Sequence, residues 1–260
     1  MIKLKYIIFL VAVCVAIVMP AFSQAATLYW VGNDGANINV ASNWKTTDPA
    51  SCGGGNASSA PTNADTLIFD ADCDNGATFN ASITASTGGI TISSGYAGTI
   101  TLTNLTYANP ITLQDNATFS VNSTNTGTLS GVISDGAGSF SIIKTGTGTL
   151  YIGANSTFDG GVIIKSGILY PSVNANAVGT GSITIGDTTG SANATLSGYT
   201  ETSFANPIIV AAGSSGTLSI SATNKVVYSG AITLNNNFYS QQCCCFVICN
   251  MLKLINSSKL

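Results

Sequence analysis

Arginine and histidine are absent from this chain, and glutamate occurs once, at Glu201. The 8 basic residues are therefore all lysine, set against 11 acidic residues for a formal net charge of −3. Charged residues make up 7 % of the 260, far below the roughly 25 % of ordinary soluble domains. Each absence removes a class of function. Without histidine no serine can be paired with an imidazole base, and a polygalacturonase-like cluster of Asp with His cannot be built. Without arginine the base of a pectate-lyase-like site is missing. With no basic patch to neutralise phosphates, nucleic acid is excluded as a partner. The chain also has neither a phosphate-cradling Gly-rich loop with Lys nor a C-x-x-C metal pair.

What is present is Thr, Ser, Gly and Asn interleaved with regular Val, Ile and Leu. Gly98-Thr99-Ile100-Thr101-Leu102 and Gly181-Ser182-Ile183-Thr184-Ile185 alternate polar and apolar residues, as half-buried strands do. No sustained helical periodicity follows Ala25. A parallel β stack accounts for the missing charge: successive rungs lie about 4.8 Å apart, so like residues sit above one another. Stacked like charges repel, whereas stacked hydroxyls and amides hydrogen-bond. The expected class is all-β, a parallel β-helix.

Residues 1–25 read as a secretory signal. Lys3 and Lys5 precede an apolar run from Ile7 to Met19, Pro20 breaks the helix, and Ser23-Gln24-Ala25 supplies small residues for cleavage after Ala25. The competing reading is an uncleaved anchor, against which the run falls short of the roughly 20 residues that span a bilayer.

The 7 cysteines fall into unlike groups. Cys14 leaves with the signal, preceded by Val13 where a lipoprotein signal requires a small residue. Cys52 and Cys73 are an isolated pair in an exported chain, which favours a disulfide over two buried thiols. Cys243, Cys244, Cys245 and Cys249 crowd the tail without histidine, a poor spacing for structural zinc.

The chain repeats itself. Ala108-Asn109-Pro110-Ile111 recurs as Ala205-Asn206-Pro207-Ile208, an offset of 97 residues, and Ser130-Gly131-Val132-Ile133 recurs as Ser229-Gly230-Ala231-Ile232, an offset of 99. A two-residue insertion near Ala212–Ser214 explains the drift. So long a period spans several rungs of about 20 residues each. After Ile133 the first copy runs on into Lys144-Thr145-Gly146-Thr147-Gly148. The second reaches Tyr239-Ser240 and becomes QQCCCFVICNMLKLINSSKL. A frame-shifted or truncated reading of 241–260 is the economical account, and an atypical terminal cap the competing one.

The segment Gly138–Leu169, with its Lys-Thr-Gly-Thr-Gly strand, Gly153-Ala154-Asn155, a Gly160-Gly161 turn and a closing Gly167-Ile168-Leu169 strand, resembles the autotransporter-associated β-strand repeat of bacterial surface passengers. The likeness covers Gly127–Leu169 well and Phe204–Leu234 moderately. Residues 26–85 are similar to the unit that precedes such repeats, with Tyr29-Trp30-Val31-Gly32, Asn43-Trp44 and Pro61…Asp65-Thr66-Leu67-Ile68-Phe69-Asp70. A further Trp, usual shortly before the Asn-Trp pair, is replaced by Ile38-Asn39-Val40. The resemblance implies a right-handed parallel β-helix over 86–240 with an N-terminal β cap over 26–85, in which Trp30 and Trp44 belong to the cap core. It further implies an adhesin-like or structural passenger, secreted or displayed on a Gram-negative-type cell surface. Its partners would be surface glycans or other cells, with membrane contact only through the signal or a missing translocator barrel. No cofactor is implied.

Asp70-Ala71-Asp72-Cys73-Asp74 is the one metal-like motif. Asn75 and Ala81 stand where an EF-hand loop needs Gly and Glu, but on a strand the three carboxylates would share a face and could hold a cation loosely; the alternative is a solvated strand end followed by a turn. Asp115, Asp135, Asp159, Asp187 and Glu201 are scattered singly at turns, not paired as glycoside hydrolysis requires. The chain therefore reads as non-enzymatic, and its rival as a secreted carbohydrate-binding or polysaccharide-degrading β-helix.

Overall fold

The computed structural model describes residues 25–81, 88–172, 174–198, 202–222, 226–237, 239–240 and 246–248. Residues 1–24 of the expected signal, Glu201, and the four tail cysteines lie outside these residues. Within them the chain is a parallel β-solenoid, and the only helical segments are two 3₁₀ turns, Ala41–Asn43 and Ala71–Cys73.

Three faces wind round one core. The second face is the longest, with nine parallel strands: Ala36–Asn37, Ala77–Phe79, Thr99–Leu102, Ala117–Val121, Ile142–Thr145, Val162–Ile164, Ile183–Ile185, Ile208–Val210 and Ile232–Leu234. The first face stacks Thr27–Trp30, Thr66–Phe69, Ile90–Ile92, Ile111–Leu113 and Ile133–Ser134, closed at its lower edge by Trp44–Lys45. The third runs from Thr106–Tyr107 and Thr126–Leu129 through Thr149–Ile152, Gly167–Pro171 and Ala194–Gly198 to Leu218–Ala222 and Tyr239–Ser240. Above Ile133–Ser134 the first face gives way to turns. In the same place along the chain, between third and second faces, a separate sheet of Thr202–Phe204, Val226–Tyr228 and Phe246–Ile248 then takes over.

Alternation makes the core. On the third face Leu150, Leu169, Leu196 and Ile220 stack in register and point inward. Their outward neighbours include Thr195 and Ser219, whose hydroxyls meet at 2.9 Å. Parallel pairing in register leaves like over like, the stacking that the low charge anticipates. Rung length varies with the turns: Ile100 pairs with Phe119, whereas Thr184 reaches its partner Ile209 only after a longer stretch of chain.

The lower end is stoppered with aromatic rings. Trp30 and Trp44 are fully buried, 5.2 Å apart and edge to face, and both contact Phe69, which touches Phe79 and Tyr96. Their indole N–H groups donate to the carbonyls of Asn75 and Ile38, so burial strands no donor. Trp44–Lys45 runs antiparallel to Thr27–Trp30, which covers an edge that would otherwise template pairing with another chain. Cys52 and Cys73 form a disulfide that ties the excursion after Lys45 to the turn beneath Asn75. This cap merges with the solenoid without a seam: Leu67 pairs with Ile90 and Ala77 with Ile100.

The two copies of the long repeat do not lie on the same face. Ile111–Leu113 is on the first face and its counterpart Ile208–Val210 on the second; Ala117–Val121 is on the second and Leu218–Ala222 on the third. Counting up from Ala117–Val121 through Ile142–Thr145, Val162–Ile164 and Ile183–Ile185, the second copy begins four rungs and one face further along. The extra residues fall in the turn between Val210 and Leu218, where Gly213 has φ 80°.

Candidate functional site

Two polar grooves open where the cap meets the first rungs. The larger, about 410 Å³, lies beside the second face and is lined by Asp34, Asp74, Gly76, Gly98, Thr99 and Thr101. Asp34 accepts the Gly76 N–H at 3.0 Å and Asp74 the Ala97 N–H at 2.8 Å, each through Oδ1. Both carboxylates lie close enough to Tyr96 to oppose its ionisation. Burial raises that phenol's pKa first, and the charges of Asp74 and Asp34 raise it further. Thr101 belongs to a row of outward hydroxyls, Thr78, Thr101, Ser120 and Thr145, paired in register up the face. The groove thus offers two acceptors at one end and a ladder of hydroxyls leading from it.

The smaller groove, about 310 Å³, is lined by Tyr29, Asp48, Ile68, Asp70, Asp72 and Ser93 among others. Partial burial raises the Asp70 carboxyl above its ordinary range, and the negative charges of Asp48 and Asp72 add to this.

The Asp70, Asp72, Asp74 motif does not form a cation site. The segment is not a strand: Ala71–Cys73 is a 3₁₀ turn, and Asp70 caps it by accepting the Asp72 N–H at 3.1 Å. A three-residue turn rotates alternate side chains apart instead of aligning them. Asp70 and Asp72 accordingly face the smaller groove, and Asp74 the larger. Among the described residues no group of three or more His, Cys, Asp or Glu is placed to hold a metal.

Three of the other carboxylates serve the backbone. Asp65, buried, accepts the N–H groups of Ala26 and Thr62 together with the Thr62 hydroxyl. Asp135, also buried, accepts those of Phe140 and Asp159, and Asp115 those of Gly95 and Asn116. Asp187 pairs with Lys165 at 3.5 Å. Asx-type acceptance at turns explains why acids survive in a chain so poor in charge.

Sequence reasoning missed Asp34, Asp48 and Tyr29, which only the winding of the chain brings beside the Asp70–Asp74 segment. It also missed Lys144 as a buried cation. The signal for Lys144 was available: Ile142-Ile143-Lys144 puts the lysine on the inward side of an alternating strand.

Scans against protein-family models, curated proteins and solved structures found no match.

Proposed function

We propose that this chain is a non-enzymatic, exported β-solenoid of the autotransporter-associated repeat type, a rigid surface rod that presents polar faces to glycans. The observation that carries the reading is the lower part of the second face, where a row of outward hydroxyls from Thr145 through Ser120 and Thr101 to Thr78 ends at the Asp34–Asp74 groove. Such a face suits polyhydroxylated ligands. Carboxylates and hydroxyls orient sugars through hydrogen bonds, and a stack of parallel strands holds them without rearrangement. The use of Asp65, Asp115 and Asp135 as backbone acceptors supports a structural role for the acids over a catalytic one. Export is supported by the Lys3–Ala25 pattern and by the Cys52–Cys73 disulfide, since such bonds persist in oxidising compartments.

A second reading, a secreted polysaccharide-binding protein that never anchors to a surface, is favoured by the same groove. The purified full chain applied to a glycan array, with Asp34→Asn and Asp74→Asn variants in parallel, tests both. The expected result is weak binding to a subset of glycans that both substitutions reduce. Release of reducing ends or unsaturated sugars from any polymer would overturn the non-enzymatic reading, and protease-resistant retention inside producing cells would overturn export.

A further inference from the structure

Lys144 occupies a core column of the second face. Its neighbours in register are Phe119 below and Ile164 above, and the column continues through Ile100 and Ala77 on one side and Ile185 and Val210 on the other. Every other residue in that run is apolar, yet Lys144 is 0 % exposed. Its ammonium donates to the carbonyl oxygens of Thr145 at 2.7 Å, Gly146 at 2.7 Å and Ser166 at 3.0 Å. Three donors meet three acceptors, so the group is saturated. No carboxylate takes part; Asp187, which does pair with a lysine, pairs with Lys165 instead.

Convergent backbone carbonyls with no counter-charge are how a protein replaces the hydration shell of a monovalent cation. Glycine makes the convergence possible here. Gly146 and Gly167 have φ of 70° and 77°. A Cβ at Gly167 would lie 2.4 Å from the Gly146 oxygen and 2.8 Å from Nζ.

We propose that the corner formed by the carbonyls of Thr145, Gly146 and Ser166 is a monovalent-cation site of the ammonium class. In this chain it is filled by the tethered side chain of Lys144, and it accepts a free primary alkylammonium when that tether is cut. The aliphatic slot sets the size of the guest: alanine keeps Cβ, so a three-carbon chain replaces Cγ to Cε of the lysine stem while its –NH₃⁺ replaces Nζ.

The test is thermal unfolding of the full chain carrying Lys144→Ala or Lys144→Met, in sodium, n-propylammonium and tetramethylammonium chlorides at equal ionic strength. Lys144→Ala is expected to lower the midpoint by about 5–10 °C. n-Propylammonium should recover a substantial part of this, and tetramethylammonium, which has no N–H to donate, none. Lys144→Met should fall as well, because its stem fills the slot but leaves the carbonyls unpaired, and n-propylammonium should not rescue it. Native-like stability of Lys144→Met, or equal responses of Lys144→Ala to both organic cations, would overturn the proposal. Should Lys144→Ala fail to fold, the unsubstituted chain labelled with ¹⁵N at lysine Nζ still decides. A protected –NH₃⁺ signal at neutral pH, distinct from the exposed lysines and lost in Lys144→Met, is expected, and its absence overturns the cage.

Discussion

Asn109 and Asn206 open the same corner motif, yet one turns the chain onto the first face and the other onto the second. Both are buried, and both lie under a glycine of the next rung, Gly131 above Asn109 and Gly230 above Asn206. They differ in how well they are paired. Asn206 donates twice through Nδ2, to Gly179 at 3.0 Å and Gly181 at 2.8 Å. Among the described residues Asn109 donates once, to Gly88 at 3.3 Å, and its Oδ1 has no partner. The motif therefore specifies a corner, not a face. A corner amide needs only a carbonyl of the rung beneath and room above, and every corner of a solenoid supplies both.

The equivalence of the two corners is most severely tested at the glycines. A Cβ at Gly131 would stand 2.0 Å from the Asn109 carbonyl oxygen, and one at Gly230 2.1 Å from that of Asn206. Both contacts are with backbone, which cannot swing aside. Gly131→Ala and Gly230→Ala are each expected to cost about 3 kcal/mol or more in urea unfolding, and to agree within about 1 kcal/mol. A large disparity would show that the face matters as well as the corner.

Next in size is the cap. The disulfide closes a separation of 21 residues, so replacing Cys52 and Cys73 by serine should cost about 3 kcal/mol. That loss should add to the cost of Gly230→Ala, which lies many rungs away. A marked shortfall from additivity, read by the same unfolding curves, would mean that the cap and the upper copy are coupled.

Alkaline pH separates the first copy's continuation from the rest. Burial lowers the Lys144 pKa from 10.5 to about 8, while its three carbonyl acceptors favour the charged form. Between pH 8 and 10.5 the unfolded chain keeps a proton that the folded chain has released. Stability should therefore rise with pH across that window, by up to about 3 kcal/mol. Lys144→Met should abolish the rise; if the rise persists, another group causes it.

The smallest effect distinguishes the asparagines themselves. Asn206→Ala should cost about 2 kcal/mol, since it strands two acceptors, and Asn109→Ala about 1 kcal/mol. Equal costs would mean that the second hydrogen bond of Asn206 contributes nothing net.

Much of this was legible beforehand, and for local reasons. Alternation in Thr99–Leu102 and Ile183–Ile185 marks strands because strand side chains alternate with period two. The repeat and its two-residue drift can be read by eye, and the drift lands in a turn because turns tolerate added length. The shift of face could not be read, since an apolar-polar strand looks alike on any side of a solenoid. At Asp70–Asp74 the sequence left open a strand with aligned carboxylates or a strand end followed by a turn, and the structure has the turn. Asp34 and Asp74 share a groove although most of the cap's chain runs between them, a juxtaposition that rests on how much chain each rung consumes.

By itself, then, the amino-acid order determined the elements: inward aliphatic columns, outward hydroxyls, and asparagine and glycine at corners. These follow from near-neighbour sterics and hydrogen bonding. Tertiary structure alone decided which face each copy occupies, which carboxylates meet, and that Lys144 ends in a cage of carbonyls. Those outcomes accumulate over rungs of unequal length, so a change of one turn redirects everything wound after it.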